Sequence, residues 1–189
     1  MARKEQVMFM IYYISDTHFG HANIIRHCSR PFYNVKEMDN AMISSWNRRV
    51  NSEDTVYILG DLMFRSAIEP TVYLERLPGK KHLILGNHDP SWMKKGDYSR
   101  FFESVSERSV IQDNSRSITL IHDPVQAMDD FERDSEWLVY GHIHNNRHDD
   151  CWTKLQALEH ALNAGVEINA YQPVTLEELI RNNTEFKKS

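Results

Sequence analysis

Five short stretches carry most of the residues able to do chemistry: Asp16-Thr17-His18, Gly60-Asp61, Gly86-Asn87-His88-Asp89, His122 and Gly141-His142-Ile143-His144. Each follows a run of strand-like residues. Singly they mean little. A strand ending in Gly-Asp is commonly a turn or a helix cap, and a lone histidine is commonly a hydrogen-bonded core residue. In order, they set carboxylates, imidazoles and one amide at five strand ends, and turns do not need histidine at four of them. Divalent cations are the natural ligand, because a borderline ion accepts both imidazole nitrogen and carboxylate oxygen. A carboxylate between two ions roughly 3.5–4 Å apart bridges them and screens their repulsion. Alternate side chains of an extended segment point the same way. Asp16 with His18, and His142 with His144, are therefore expected to present paired donors without backbone strain.

Such donors need a scaffold, and a parallel α/β sheet binds its ligands at the carboxyl ends of its strands. The sequence predicts strands at 11–15, 55–59 and 82–85. Between the first two, Val35, Met38, Met42, Trp46 and Val50 share one helical face, and Asn34 with Glu37 caps a helix over 35–50. A second helix starts at Pro70 and runs to Leu77, before the Pro78-Gly79 turn. From 104 onward the pattern turns β-rich, with strands at 104–112, 117–122, 136–140 and 161–168. Trp152, Leu155 and Leu158 suit a helical turn, and Thr175 with Glu178 opens a last helix over 176–182. The first half reads as βαβαβ and the second as a mostly antiparallel sheet, the two sheets packed together with helices outside.

Composition narrows the function classes. The 189 residues suit one domain, 1–189, with residues 1–6 a mobile tail. Lys+Arg is 22 and Asp+Glu 27, a net charge of −5, which argues against a sequence-independent nucleic-acid binder. Cys28 and Cys151 are too few for a disulfide framework and read as reduced thiols of a cytoplasmic protein. The apolar run from Val7 to Ile14 is far short of the roughly 20 residues a membrane span needs and leads into the first donor pair.

The ordered series resembles the calcineurin-like metallophosphoesterase superfamily, and GNHD with GHIH is its most specific part. The resemblance implies an α/β fold, a four-layer α/β/β/α sandwich of two mixed sheets with flanking helices. It implies two divalent ions, of manganese, iron, zinc, cobalt or nickel. Asp16, His18 and His144 would hold one, Asn87, His122 and His142 the other, and Asp61 would bridge both. It further implies hydrolysis of phosphate mono- or diesters of small molecules by a metal-bridging hydroxide, with His88 as general acid on the leaving oxygen. A nuclease on the same scaffold and a non-catalytic protein-binding scaffold are the alternatives. Many members read Gly-Asp-x-x-Asp, the second Asp orienting the catalytic histidine; here Phe64 stands in that place. Asp89 and Asp123 are then candidate imidazole partners behind the donors. His21, Asn23 and Arg26, at the start of a helix after the first donor pair, are candidate phosphate contacts, with Arg30 and Arg65 more distant ones. His148 and His160 read as surface or packing residues. The length leaves no room for a capping domain, so an open rim is expected.

Overall fold

Ile11–Ile14 (β1), Thr55–Ile58 (β2) and Lys80–Ile84 (β3) pair in parallel, and Ser104–Ser106 (β4) adds a fourth parallel strand beside β3. These strands come from a computed structural model that describes residues 9–188; the expected tail at 1–6 lies outside the described residues. Crossovers between parallel strands are usually helical. Ala22–His27 (α1) and Val35–Arg49 (α2) join β1 to β2, and Pro70–Leu74 (α3) joins β2 to β3. The sequence cap of α2 forms: Asn34 Oδ1 accepts the Glu37 N–H at 2.9 Å. Met38, Met42 and Trp46 are buried against Tyr12, Ile14, Val56 and Ile58, so the apolar stripe covers one face of this sheet. A short helix, Asp89–Met93 (α4), follows β3.

The second sheet has the order β5-β6-β7-β8: Arg108–Asp113, Arg116–Ile121, Trp137–Tyr140 and Ala161–Asn163. It differs from expectation in three ways. The predicted strand 104–112 is broken at Glu107: β4 belongs to the first sheet and β5 to the second. Only β5–β6 is antiparallel; β6–β7 and β7–β8 are parallel, because long connections rather than hairpins join them. The predicted strand 161–168 stops at Asn163. Beyond it only isolated backbone bonds continue, Ala164 N–H to Tyr140 O and Ser15 N–H to Ala164 O, and side-chain amides hold the turn that follows: Asn163 Oδ1 accepts the Gly165 N–H, and Asn169 Nδ2 donates to Asn163 O. Trp152–Ala157 (α5) packs on the outer face through Leu155, with Phe131 and Leu138. The last helix, Leu176–Lys188 (α6), runs past the predicted 182. Its capping box forms, with Thr175 N–H donating to Glu178 Oε2 at 2.9 Å.

Between the sheets lie Tyr13, Leu59, Ile84, Ile118, Leu120, Val139 and Leu162, with Leu176 and Leu179 of α6 joining that core. The layers are thus helix, sheet, sheet, helix. Ser15 bridges Gly165, and Tyr13 bridges Val174, which ties β1 to the segments after β8. No helix of the described residues is long and apolar enough to cross a membrane.

Candidate metal centre

Asp16 and His18 follow β1, Asp61 follows β2, Asn87 and His88 follow β3, His122 follows β6, and His142 and His144 follow β7. The fold brings all of them to one place. It does so by strained turns rather than by the extended alternation expected from the sequence. Asp16, His18, Asp61, His142 and His144 all have left-handed φ, between 50° and 73°. Such conformations cost energy in non-glycine residues and persist where the surroundings over-determine them. Here the Asp16 N–H donates to Gly60 O, the His18 N–H to Asp61 O, and the His142 N–H to Asp16 Oδ2, each at 3.0 Å. Gly60 takes φ +85°, and a Cβ there would strike His122 Nδ1.

Asp16 is wholly buried, and its Oδ1 has no hydrogen-bond partner among the described residues. His18 Nε2 and His144 Nε2 each lie 3.9 Å from it. Both ring nitrogens of buried His18 are likewise unpartnered. Asp61 Oδ2 stands 3.7 Å from His18 Nε2 and 3.5 Å from His122 Nε2. Asn87 Oδ1 lies 3.2 Å from His122 Nε2 and 3.1 Å from His142 Nδ1. Donors each about 2.1 Å from a common ion are separated by roughly 3.0–4.2 Å, depending on the angle. The donor set and its orphaned buried atoms therefore fit divalent ions. Two triplets, Asp16–His18–His144 and Asp16–Asp61–His122, each gather within 4.8 Å. Asp16 thus reaches both triplets, whereas the sequence reading assigned it to one ion.

Electrostatics follow from this crowding. Burial, reinforced by His144, drives the His18 imidazolium well below the usual histidine range. Burial opposes ionisation of Asp61, but hydrogen bonding and charge from His122 hold it at about 2. Burial also opposes protonation of His122, yet Asp61 and Asp16 push it up to about 9. His144 rises to about 11 against burial, through Asp16, Cys28 and Glu167. An ion bound at these nitrogens takes the place of a proton. His122 Nδ1 faces Leu59 O at 2.7 Å and His144 Nδ1 faces Glu167 Oε1 at 3.0 Å, which leaves each Nε2 directed at the cluster.

Glu167 is a residue that sequence reasoning missed. Its only signal was being the single charge in the run 161–168. Arg30 holds it, with Nε at 3.0 Å and Nη2 at 2.7 Å from Oε1. Arg30 also donates to Asp16 O and Thr17 O, at 2.7 and 2.9 Å. It is therefore buried behind the cluster, its guanidinium engaged by Glu167 and by the Asp16 and Thr17 carbonyls. Among the described residues, neither Asp89 nor Asp123 bonds an imidazole. Asp89 accepts from the N–H groups of Asp61, Leu62 and Gly86 and from Trp92 Nε1, which ties two donor loops together. Asp123 caps the turn Pro124–Gln126 by accepting the Val125 N–H at 3.0 Å.

Asn23 and Arg26 are exposed on α1, and their side chains bond no other described residue. His21 does reach the rim, its ring 5.7 Å from that of His18. Burial and then His88 lower its pKa to about 4. The Arg65 guanidinium lies 5.0 Å from the Phe64 ring. His160 stacks on Trp137, and His148 is exposed. The His88 backbone is helical, with φ −93° and ψ −21°, so strand alternation does not set its side chain. Its Nε2 comes within 3.8 Å of Asp61 Oδ2, and its side chain is 33% exposed where His18, Asp61 and His122 are nearly sealed.

The rim is open. A groove of about 780 Å³ leads away past His142 and His144, toward His27, Asn145 and His148. A cavity of about 270 Å³ lies beside Phe64, Arg65 and Trp92.

An uncharacterized protein of Methanocaldococcus jannaschii is 38% identical over 177 residues, covering 92% of this chain and 91% of its own. The Gene 66 protein of Mycobacterium phage L5 is 31% identical over 162 residues, covering 71% of this chain and 77% of its own. A crystal structure of a protein of unknown function from Aquifex aeolicus superposes with a TM-score of 0.71 at 28% identity, covering 92% of this chain and 99% of that one. The calcineurin-like phosphoesterase superfamily domain matches residues 9–166, a span that takes in every strand and every donor described above. With that match spanning most of its length, the chain belongs to the calcineurin-like phosphoesterase superfamily.

Proposed function

We propose that this protein is a metal-dependent phosphoesterase acting on small phosphate mono- or diesters. The observation that carries this reading is the surroundings of Asp61 Oδ2: three imidazole Nε2 atoms lie 3.5–3.8 Å from it, and no hydrogen bond satisfies the neighbouring Asp16 Oδ1. In this reading Asp16, His18 and His144 would hold one divalent ion, Asn87, His122 and His142 would hold a second, and Asp61 would serve both. Such ions, when bound, supply Lewis acidity toward phosphoryl oxygens and lower the pKa of water.

The chain's own groups do the rest. Asp61 is kept ionised by its neighbours. Glu167 and Leu59 O fix the ring orientation of His144 and His122. His88, the most solvent-facing of the imidazoles around Asp61, delivers a proton to the departing ester oxygen. The open groove and the small cavity leave room for ester groups on the exposed side.

The test is turnover of nitrophenyl phosphate mono- and diesters by protein reconstituted with manganese, zinc, cobalt or iron. Chelation should abolish turnover and re-addition of the ion should restore it. No chelator-sensitive turnover with any of these ions would overturn the reading.

A further inference from the structure

The His88 ring has no hydrogen-bond partner among the described residues, although its backbone is firmly held. The His88 N–H donates to Asp61 Oδ1 at 2.9 Å, and its carbonyl accepts from Ser91 Oγ at 2.6 Å. The neighbouring carboxylates are otherwise engaged. Asp89 faces backbone N–H groups and Trp92, Asp123 caps its own turn, and Asp61 Oδ2 stays at 3.8 Å. The His18 ring meets it edge-on at 5.5 Å, and a closer contact covers its face. Phe64 stacks on it with centroids 3.8 Å apart and planes inclined by 30°.

Phe64 is itself well anchored. The preceding Met63 bridges Phe19, and the Phe64 N–H donates to Phe19 O. The His21 ring meets Phe64 edge-on, at 4.8 Å and 90°. These contacts set the plane of the Phe64 ring, and the imidazole lies against it with Nε2 3.8 Å from Asp61 Oδ2.

We propose that Phe64 is the positioning residue for His88, holding the imidazole by stacking where no acceptor holds it by hydrogen bonding. The proposal rests on the reading of His88 as the proton donor to the leaving group. Its consequence is that the ring keeps its direction while both nitrogens stay free of protein partners, open toward the cluster and the rim. A shift of the donor by about 1 Å can cost on the order of 100-fold in rate, so losing the plane should matter even though Phe64 touches no reacting atom.

The experiment compares wild type, Phe64→Leu and Phe64→Trp as zinc-loaded, diamagnetic proteins. Phe64→Leu keeps an apolar side chain and removes the aromatic face; Phe64→Trp restores one. In wild type the carbon-bound protons of the His88 ring should resonate upfield, shielded by the stacked ring, and should move downfield in Phe64→Leu. Metal content should not change. With an alkyl phosphate ester, kcat should fall about 10- to 100-fold in Phe64→Leu with KM little altered. The nitrophenyl ester, whose leaving group needs no proton, should lose much less, and Phe64→Trp should regain most of the alkyl-ester rate. His88→Ala should remove the effect, so that adding Phe64→Leu to it costs nothing further. Unchanged His88 proton shifts in Phe64→Leu, or equal losses on both esters, would overturn the proposal. If wild type cleaves neither ester, the phosphoesterase reading fails, and the proton shifts alone decide whether Phe64 fixes His88.

Discussion

Asp61 divides its two oxygens between two tasks: Oδ1 accepts the His88 N–H, and Oδ2 faces the imidazoles. Asp61→Asn keeps the shape and removes the charge, so both ions should be lost together in elemental analysis rather than one alone. His88→Ala, by contrast, should retain both ions and lose most activity on esters with alkoxide leaving groups, about 10²–10⁴-fold, and much less on nitrophenyl esters. Metal loss in that variant would remove His88 from the role of proton donor. The donors were legible because their types are rare at strand ends and recur in order. Arg30 and Glu167 were not, because nothing local signals a contact between residues 137 positions apart. Glu167 also offers a pH test. Burial raises its pKa, but the His144 hydrogen bond and the Arg30 charge win and hold it at about 2, against an ordinary 4.5. A carboxyl depressed on folding stabilises the fold above its unfolded pKa and loses that contribution as pH falls through the folded one. Urea unfolding of metal-free protein should therefore show stability dropping between about pH 4.5 and 2, with a shallower drop in Glu167→Gln. Identical slopes would mean that Glu167 is not held by this network.

At the scale of elements, the site depends on loops at strand ends more than on the strands. Asp89 opens α4, yet its carboxylate binds the loop after β2 to the loop after β3 through three backbone N–H groups. Asp89→Ala would leave these donors unsatisfied and buried, at about 1–3 kcal/mol each, so a loss of several kcal/mol in urea unfolding is expected. A loss under about 1 kcal/mol would show that water or local rearrangement replaces the carboxylate. Apolar runs at 11–15, 55–59 and 82–85 and the stripe of α2 were readable because burial enforces their periodicity. The passage from β4 to β5 at Glu107 was not, since a strand run carries no mark of which sheet it enters. The left-handed turns at Asp16 and His18 were also hidden, because neither is a glycine and the strain is borne by contacts from distant strands.

At the scale of the molecule, strand ends from both sheets converge on one open rim, and the net charge of −5 argues against binding a polyanion by charge alone. Small activated esters should be turned over with little change between 50 and 200 mM salt. A nuclease on this scaffold would instead cleave oligonucleotides with a steep salt dependence, and that result would replace the small-substrate reading. The cluster around Asp61 is expected to bind two ions, and that loading to create phosphoesterase activity. One titration of metal-stripped protein with manganese or zinc, measuring ions bound per chain and nitrophenyl phosphodiester turnover on the same samples, checks both at once. Turnover should rise with loading and level off at two ions per chain, with Asp61→Asn showing neither tight loading nor turnover. Saturation at one ion or none, or turnover independent of loading, would contradict this expectation.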